Sequence, residues 1–192
     1  MVDAIVSTEA ATNAARRVTL EGRMGDPRAS LAGPMARFSL RLRESAIEQA
    51  GAALGLDLAL PICRGARANG RTALRLGPDE WLVFTTEDDA ESLAGSLRPT
   101  ASGREGALVD ISHRQIGIVL DGAHITEMLN GFSPLDLDLS SFPVGMATRT
   151  VFAKAEIVLW RQAETRFHLE AWRSFAPYVW GLLTEIGREY PV

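Results

Sequence analysis

Two stretches of the 192-residue sequence carry the same succession of strand and helix signals at nearly constant spacing. Phe38 corresponds to Ile116 and Ala46 to His124, 78 residues on; Pro61 corresponds to Pro143, 82 on; Trp81 corresponds to Phe167 and Asp88 to Ser174, 86 on. One insertion of eight residues accounts for the drift. The order within each stretch is β-α-β-β-α, which is common by itself, so the offsets rather than the order point to a repeated unit. A half-apolar sheet has to bury one face against helices. The expected fold is therefore α+β: two pseudo-repeated units, each a largely antiparallel sheet with two helices packed on it. The boundaries follow as an N-terminal arm over 1–33, a first half over 34–98, a linker over 99–107 and a second half over 108–192.

The local signals are of the usual kinds. Phe38 to Leu42 alternates apolar and polar, as a strand does. Ser45 stands three residues before Glu48, the spacing of a capping box, ahead of Ile47, Ala50 and Leu54 at helical intervals. Thr72 to Leu76 and Trp81 to Phe84 flank Gly77-Pro78-Asp79, which predicts a hairpin. Thr86 and the acids Glu87, Asp88 and Asp89 open a second helix. Leu108 to Ile111 and Ile116 to Leu120 read as strands, with a helix over Ile125 to Phe132. Thr150 to Trp160 reads as one long strand bent near Lys154, paired with Phe167 to Trp172. Ser174 is placed to cap the last helix, with Pro177 in its first turn, where a missing N–H costs little.

Composition narrows the chemistry. A single cysteine, Cys63, excludes a disulfide framework and a multi-cysteine zinc site within this chain. No apolar run reaches the ~18 residues of a membrane span, and Met1 to Arg17 lacks the apolar core of a secretory signal, so a cytoplasmic protein without a membrane partner is expected. Positive charge gathers between Arg37 and Arg75, where seven arginines face three acids in a chain of net charge −4. A nucleic-acid surface needs a stronger basic field interleaved with aromatics, and none is expected here. Three separated histidines offer no metal-ligand spacing. The densest polar group is Asp110-Ile111-Ser112-His113-Arg114. Its residue types suggest a hydrolytic triad, but a triad is assembled from distant segments around an exposed nucleophile, and the run reads instead as a strand-entry turn with side chains bonded to backbone. In the strand Phe167 to Trp172, Leu169 and Ala171 face the helices. His168, Glu170 and Trp172 then point the other way, toward the other half or another subunit.

Several segments together carry a resemblance. Val109 to Gln115, Gly117, Asp121-Gly122 and Met128 to Gly131 are similar to the aminomethyltransferase superfamily, of which the glycine-cleavage T-protein is a member. Leu76 to Leu82, Phe142 to Thr150, Lys154 to Trp160 and Glu170 to Ala176 more specifically resemble the γ-subunit family of heterotetrameric sarcosine oxidases, from about residue 30 to the C-terminus. The resemblance implies a T-protein-like fold and membership of an oxidoreductase complex. That complex converts sarcosine to glycine with formation of hydrogen peroxide and 5,10-methylenetetrahydrofolate. It also implies α, β and δ partner subunits, with FAD, FMN, NAD and tetrahydrofolate held by the larger ones and zinc by the smallest. Active T-proteins carry a Gly-Gly-x-x-Asp-Asp turn between two long strands; here the matching stretch is Ala153 to Leu159, without the glycines or either aspartate, and Glu156 is the only carboxylate nearby. Lacking a carboxylate to move protons, the chain is expected to have no catalytic centre. Asp110, Ser112, His113, Arg114, His168, Trp172 and Arg173 are then expected to serve as an interface or a vestigial folate pocket. The alternatives that sequence leaves are a free-standing folate-binding or one-carbon module, and the equivalent subunit of a related N-methyl amino acid dehydrogenase.

Overall fold

A computed structural model describes residues 26–191. The part of the expected arm before Asp26 lies outside the described residues. The elements run β1 (Ala29–Leu31), β2 (Ala36–Leu42), α1 (Glu44–Leu54), β3 (Arg64–Ala68), β4 (Arg71–Arg75), β5 (Glu80–Thr85), α2 (Ala90–Leu97), β6 (Gly106–Asp110), β7 (Gln115–Asp121), α3 (Ile125–Asn130), β8 (Ala147–Phe152), β9 (Ala155–Ala163), β10 (Arg166–Trp172) and α4 (Ala176–Gly187). Every named strand pairing is antiparallel.

The α+β class and the repeat are both visible in the sheet orders. One sheet is β3-β4-β5-β2-β6 and the other, read in the same sense, is β8-β9-β10-β7-β1. Each unit is thus β-α-β-β-β-α, one strand richer than the spacing separates. β3, Arg-Gly-Ala-Arg-Ala, has no apolar alternation to announce it. The long strand expected over Thr150 to Trp160 is two strands, β8 and β9, joined through Ala153 and Lys154, with Phe152 facing Ala155. The outermost strand of each sheet crosses the sequence boundaries: Gly106–Asp110 adds to β2 of the first sheet, and Ala29–Leu31 adds to β7 of the second.

Three apolar clusters stack in layers. One packs α1 and α2 on the first sheet around Leu40, Leu54, Trp81, Leu93 and Leu97. A second packs α3 and α4 on the other sheet around Ile118, Met128, Phe152, Phe167 and Leu183. The third lies between the sheets, where Leu74, Leu82 and Phe84 meet Val158 and Trp160. Helices therefore form the outer layers and the two sheets face each other. At one side the edge strands join: Gly65 N–H donates to Gly145 O at 2.9 Å, Ala147 N–H to Cys63 O at 3.0 Å, and Arg64 bridges Met146. Nearby, Arg149 Nη2 donates to Glu80 Oε1 at 2.6 Å.

The helix starts differ from expectation. α1 begins at Glu44, after Arg43 and without a side-chain cap. Ser45 lies inside the helix, and its hydroxyl donates to Glu105 Oε2 at 2.6 Å rather than closing a box with Glu48. α4 likewise starts after Phe175 rather than Ser174, again with no side-chain cap. Its C-terminus is held by Arg28, whose Nη2 donates to Gly187 O at 2.8 Å and to Asp26 Oδ2 at 2.7 Å. A cation is favoured where helix carbonyls end.

The β8–β9 turn lacks the residues that usually mark one. Ala153 has φ 51°, a left-handed conformation that costs a residue with a Cβ about 1–2 kcal/mol. Part of that is offset, because glycine gives up more freedom on folding. Ala153→Gly is therefore expected to raise stability by about 0.5–1 kcal/mol, read as a higher urea midpoint at unchanged slope. An unchanged or lower midpoint would show the turn to be unstrained.

Candidate functional site

The face of β10 away from the helices carries His168, Glu170 and Trp172, as alternation predicts, and the first two close against the other half. Glu170 is fully buried and His168 nearly so. The partner of Glu170 is Arg37 on β2, which the sequence marks only as one of a run of arginines. Arg37 Nε donates to Glu170 Oε2 at 2.7 Å and Nη2 to Oε1 at 3.0 Å, a bidentate pair spanning the two sheets. His168 Nε2 lies 2.7 Å from Glu170 Oε1; the carboxylate can only accept, so the ring proton sits on Nε2. Phe84 meets the His168 ring edge-on and Trp160 lies tilted beside it. Burial pushes the Glu170 carboxyl up. The Arg37 charge and the hydrogen bonds from His168 and Arg37 outweigh that and hold it below the usual carboxylate range.

The Asp110–Arg114 run joins the same network from the side. Ser112 N–H and Oγ donate to Asp110 Oδ1 at 2.8 and 2.6 Å, and Ser112 Oγ accepts from Arg37 N–H at 2.9 Å. This is a strand-entry turn that pins β2. His113 is exposed and makes no hydrogen bond among the described residues, so no triad is formed. Arg114 lies over the Trp172 ring at 5.1 Å, and Arg173 N–H donates to Arg114 O at 2.8 Å. The seven predicted positions thus divide: His168 meets Glu170 in the interior, Asp110 and Ser112 fasten a turn, and Arg114, Trp172 and Arg173 form an outer group, with His113 apart.

The carboxylates of this region are engaged within the chain or lie at its surface. Both oxygens of Glu170 are taken, Asp110 is turned to Ser112, and Glu156 is exposed with Arg149 Nε 3.7 Å away. The β8–β9 turn itself, Ala153-Lys154, carries no carboxylate, and the exposed Glu156 follows it in β9. A cleft of about 220 Å³ opens beside His168, lined by Phe84, Trp160, Thr72, Arg67 and Gln162 among others. Among the described residues no group of three or more His, Cys, Asp or Glu side chains is disposed to hold a metal, and no helix is long and apolar enough to cross a membrane.

The arginine run is largely spent on structure. Arg75 Nη1 donates to Leu60 O at 2.8 Å, and the guanidinium stacks on Trp81 at 5.1 Å. Arg71 grips Asp89 with bonds of 2.7 and 2.8 Å. Arg71, then the Thr85 hydroxyl, hold Asp89 down to about 2 from the ordinary 3.8. A depressed carboxyl contributes stability that is present above its unfolded value and is lost as pH falls through its folded one. Wild type is therefore expected to lose stability between pH 4 and 2. Asp89→Asn should show a shallower loss over that window in thermal melts; equal slopes would remove Asp89 from the acid response.

Comparisons with known proteins agree with one another. The family model "Sarcosine oxidase, gamma subunit family" matches residues 43–189. The sarcosine oxidase subunit gamma of Arthrobacter sp. is 33% identical over 119 residues, 62% of this chain and 58% of that protein. The matched stretch is thus under two thirds of that relative's length. The corresponding subunit of Corynebacterium sp. (strain U-96) is 28% identical over 145 residues, 74% of this chain and 70% of that one. Among solved structures, a chain of the heterotetrameric sarcosine oxidase from Corynebacterium sp. U-96, in complex with pyrrole 2-carboxylate, superposes with a TM-score of 0.76 at 25% identity, covering 96% of this chain and 95% of that one. The glycine cleavage system aminomethyltransferase T of Bartonella henselae shares the fold, with a TM-score of 0.62 at 14% identity over 81% of this chain and 44% of that one. From the family match over most of its length, the chain belongs to the sarcosine oxidase gamma subunit family.

Proposed function

We propose that this chain is the non-catalytic γ subunit of a cytoplasmic heterotetrameric sarcosine oxidase, assembled with α, β and δ subunits. The complex would convert sarcosine, oxygen and tetrahydrofolate to glycine, hydrogen peroxide and 5,10-methylenetetrahydrofolate. FAD, FMN, NAD, tetrahydrofolate and zinc are assigned to the partner subunits. The observation that carries this reading is the near end-to-end superposition, 96% against 95%, on a chain of a heterotetrameric sarcosine oxidase. The internal network supports a structural role: its one fully buried carboxylate is neutralised by Arg37 and His168 and has no oxygen left for a substrate.

Affinity purification through a tag on this chain, from its native source, tests the reading. Co-elution of flavin-bearing subunits with sarcosine-dependent peroxide formation is expected. Recovery of the chain alone would count decisively against it. Titration of the isolated chain with tetrahydrofolate separates the scaffold from a free-standing folate module, since only the module would bind at micromolar ligand.

A further inference from the structure

Thirteen residues of the chain are aromatic. Those that are exposed among the described residues are Trp172, Phe175 and Tyr178, at 40%, 40% and 38%, all within one seven-residue stretch. The other exposed large apolar side chains are aliphatic and scattered along the chain: Ile62, Val109, Leu139, Val144 and Val151. Local geometry explains the grouping. Phe175 N–H donates to Trp172 O at 2.8 Å, closing the turn from β10 into α4. Phe175 and Tyr178, three apart across the start of that helix, lie on one side of it.

Arg114 supplies the charge. Its guanidinium is stacked on Trp172, and no carboxylate among the described residues pairs with it; its Nε is buried without a hydrogen-bond partner. The nearest acid in sequence, Asp110, is committed to Ser112. A stacked guanidinium presents its donors in a fixed plane suited to a carboxylate. Trp, Tyr and Arg are also the residues on which interface energy concentrates. In a chain of net charge −4, a single-stranded nucleic acid would need a continuous basic groove beside such aromatics, and Arg71 and Arg75 of the arginine run are tied down elsewhere.

We infer that Trp172, Phe175, Tyr178 and Arg114 form the surface on which another subunit of the complex docks, through a segment that brings a carboxylate to Arg114 and apolar side chains to the three rings. This rests on the proposed γ-subunit role and assigns it a face. While His168 and Glu170 of the same strand are consumed between the halves, Trp172 is left for a partner.

The test uses the full, tagged chain recovered with its native partners. Wild type brings flavin absorbance with it. Arg114→Ala/Trp172→Ala is expected to lower the flavin recovered per tagged chain by roughly tenfold or more, while Val151→Asp, on the far edge strand β8, leaves it unchanged. Thermal melts identify any variant that has unfolded; Tyr178→Glu, on an exposed helical position, then reads the same surface. Wild-type recovery by folded patch variants overturns the assignment and leaves the γ-subunit role standing. A wild-type chain that brings no flavoprotein overturns both. A wild-type homodimer broken by Trp172→Ala, or nucleic acid co-eluting in place of flavin, also overturns the assignment by naming a different occupant.

Discussion

Arg37→Met will lower folding stability by about 3–5 kcal/mol, the usual consequence of stranding one member of a buried ion pair. The reason lies in what remains. Glu170 is fully enclosed between the sheets, its two oxygens are oriented by Arg37, and only His168 is left to it. An unpaired carboxylate in such a place takes up a proton rather than stay charged. The folded value of Glu170 in the variant then rises above the unfolded one, so its stability is greater at low pH and is lost as pH rises. The variant should be less impaired at pH 5 than at pH 8 by urea unfolding. Removing both charges as Arg37→Met/Glu170→Leu should recover most of the loss, because apolar replacement of a buried pair is often neutral or stabilising. A single variant within 1 kcal/mol of wild type at pH 8 would show that the pair is not sealed from water.

The same residues show what a sequence can and cannot disclose. The β4–β5 hairpin is legible because Thr72 to Leu76 and Trp81 to Phe84 alternate around a Gly-Pro-Asp turn, so period and turn chemistry agree. β3 is not, since Arg64–Ala68 is small and polar on both faces and is recruited by the edge of β4 and a bridge to Met146. The β8–β9 turn is hidden because Ala153 adopts its positive φ with no glycine or asparagine to advertise it. For the site, alternation in β10 correctly turns His168, Glu170 and Trp172 away from the helices. It cannot say that the residue meeting Glu170 is Arg37, 133 positions earlier. Polar pairing across two sheets leaves no periodic trace: in β2 Arg37 falls in the same alternation as Ser39 and Arg41, so the sequence does not set it apart. The capping signals at Ser45 and Ser174 mislead for a related reason: tertiary contacts decide where a helix end lies, and Ser45 finds Glu105 instead.

Gly117→Ala carries the second large expected effect, and its sign distinguishes two accounts of this glycine. Gly117 sits mid-strand in β7, opposite Glu170, without a positive φ. On backbone entropy alone alanine would stabilise by about 0.5–1 kcal/mol. A Cβ there, however, would stand 2.8 Å from Glu170 Oε1, 2.9 Å from Ala32 Cβ and 3.0 Å from Arg37 Nη2. None of these is a loose side-chain tip: the two polar atoms are locked in a bidentate pair, and Ala32 N–H donates to Gly117 O. Overpacking of this kind costs about 1–3 kcal/mol, so destabilisation is expected despite the favourable entropy. A double-mutant cycle makes the cause specific. With Glu170→Ala the closest atom is gone, and adding the Gly117 methyl should cost less than in wild type, a coupling on the order of 1 kcal/mol. If Gly117→Ala instead stabilises, or if the two changes simply add, the glycine is not there to admit the ion pair, and the packing between the sheets is looser than these distances require.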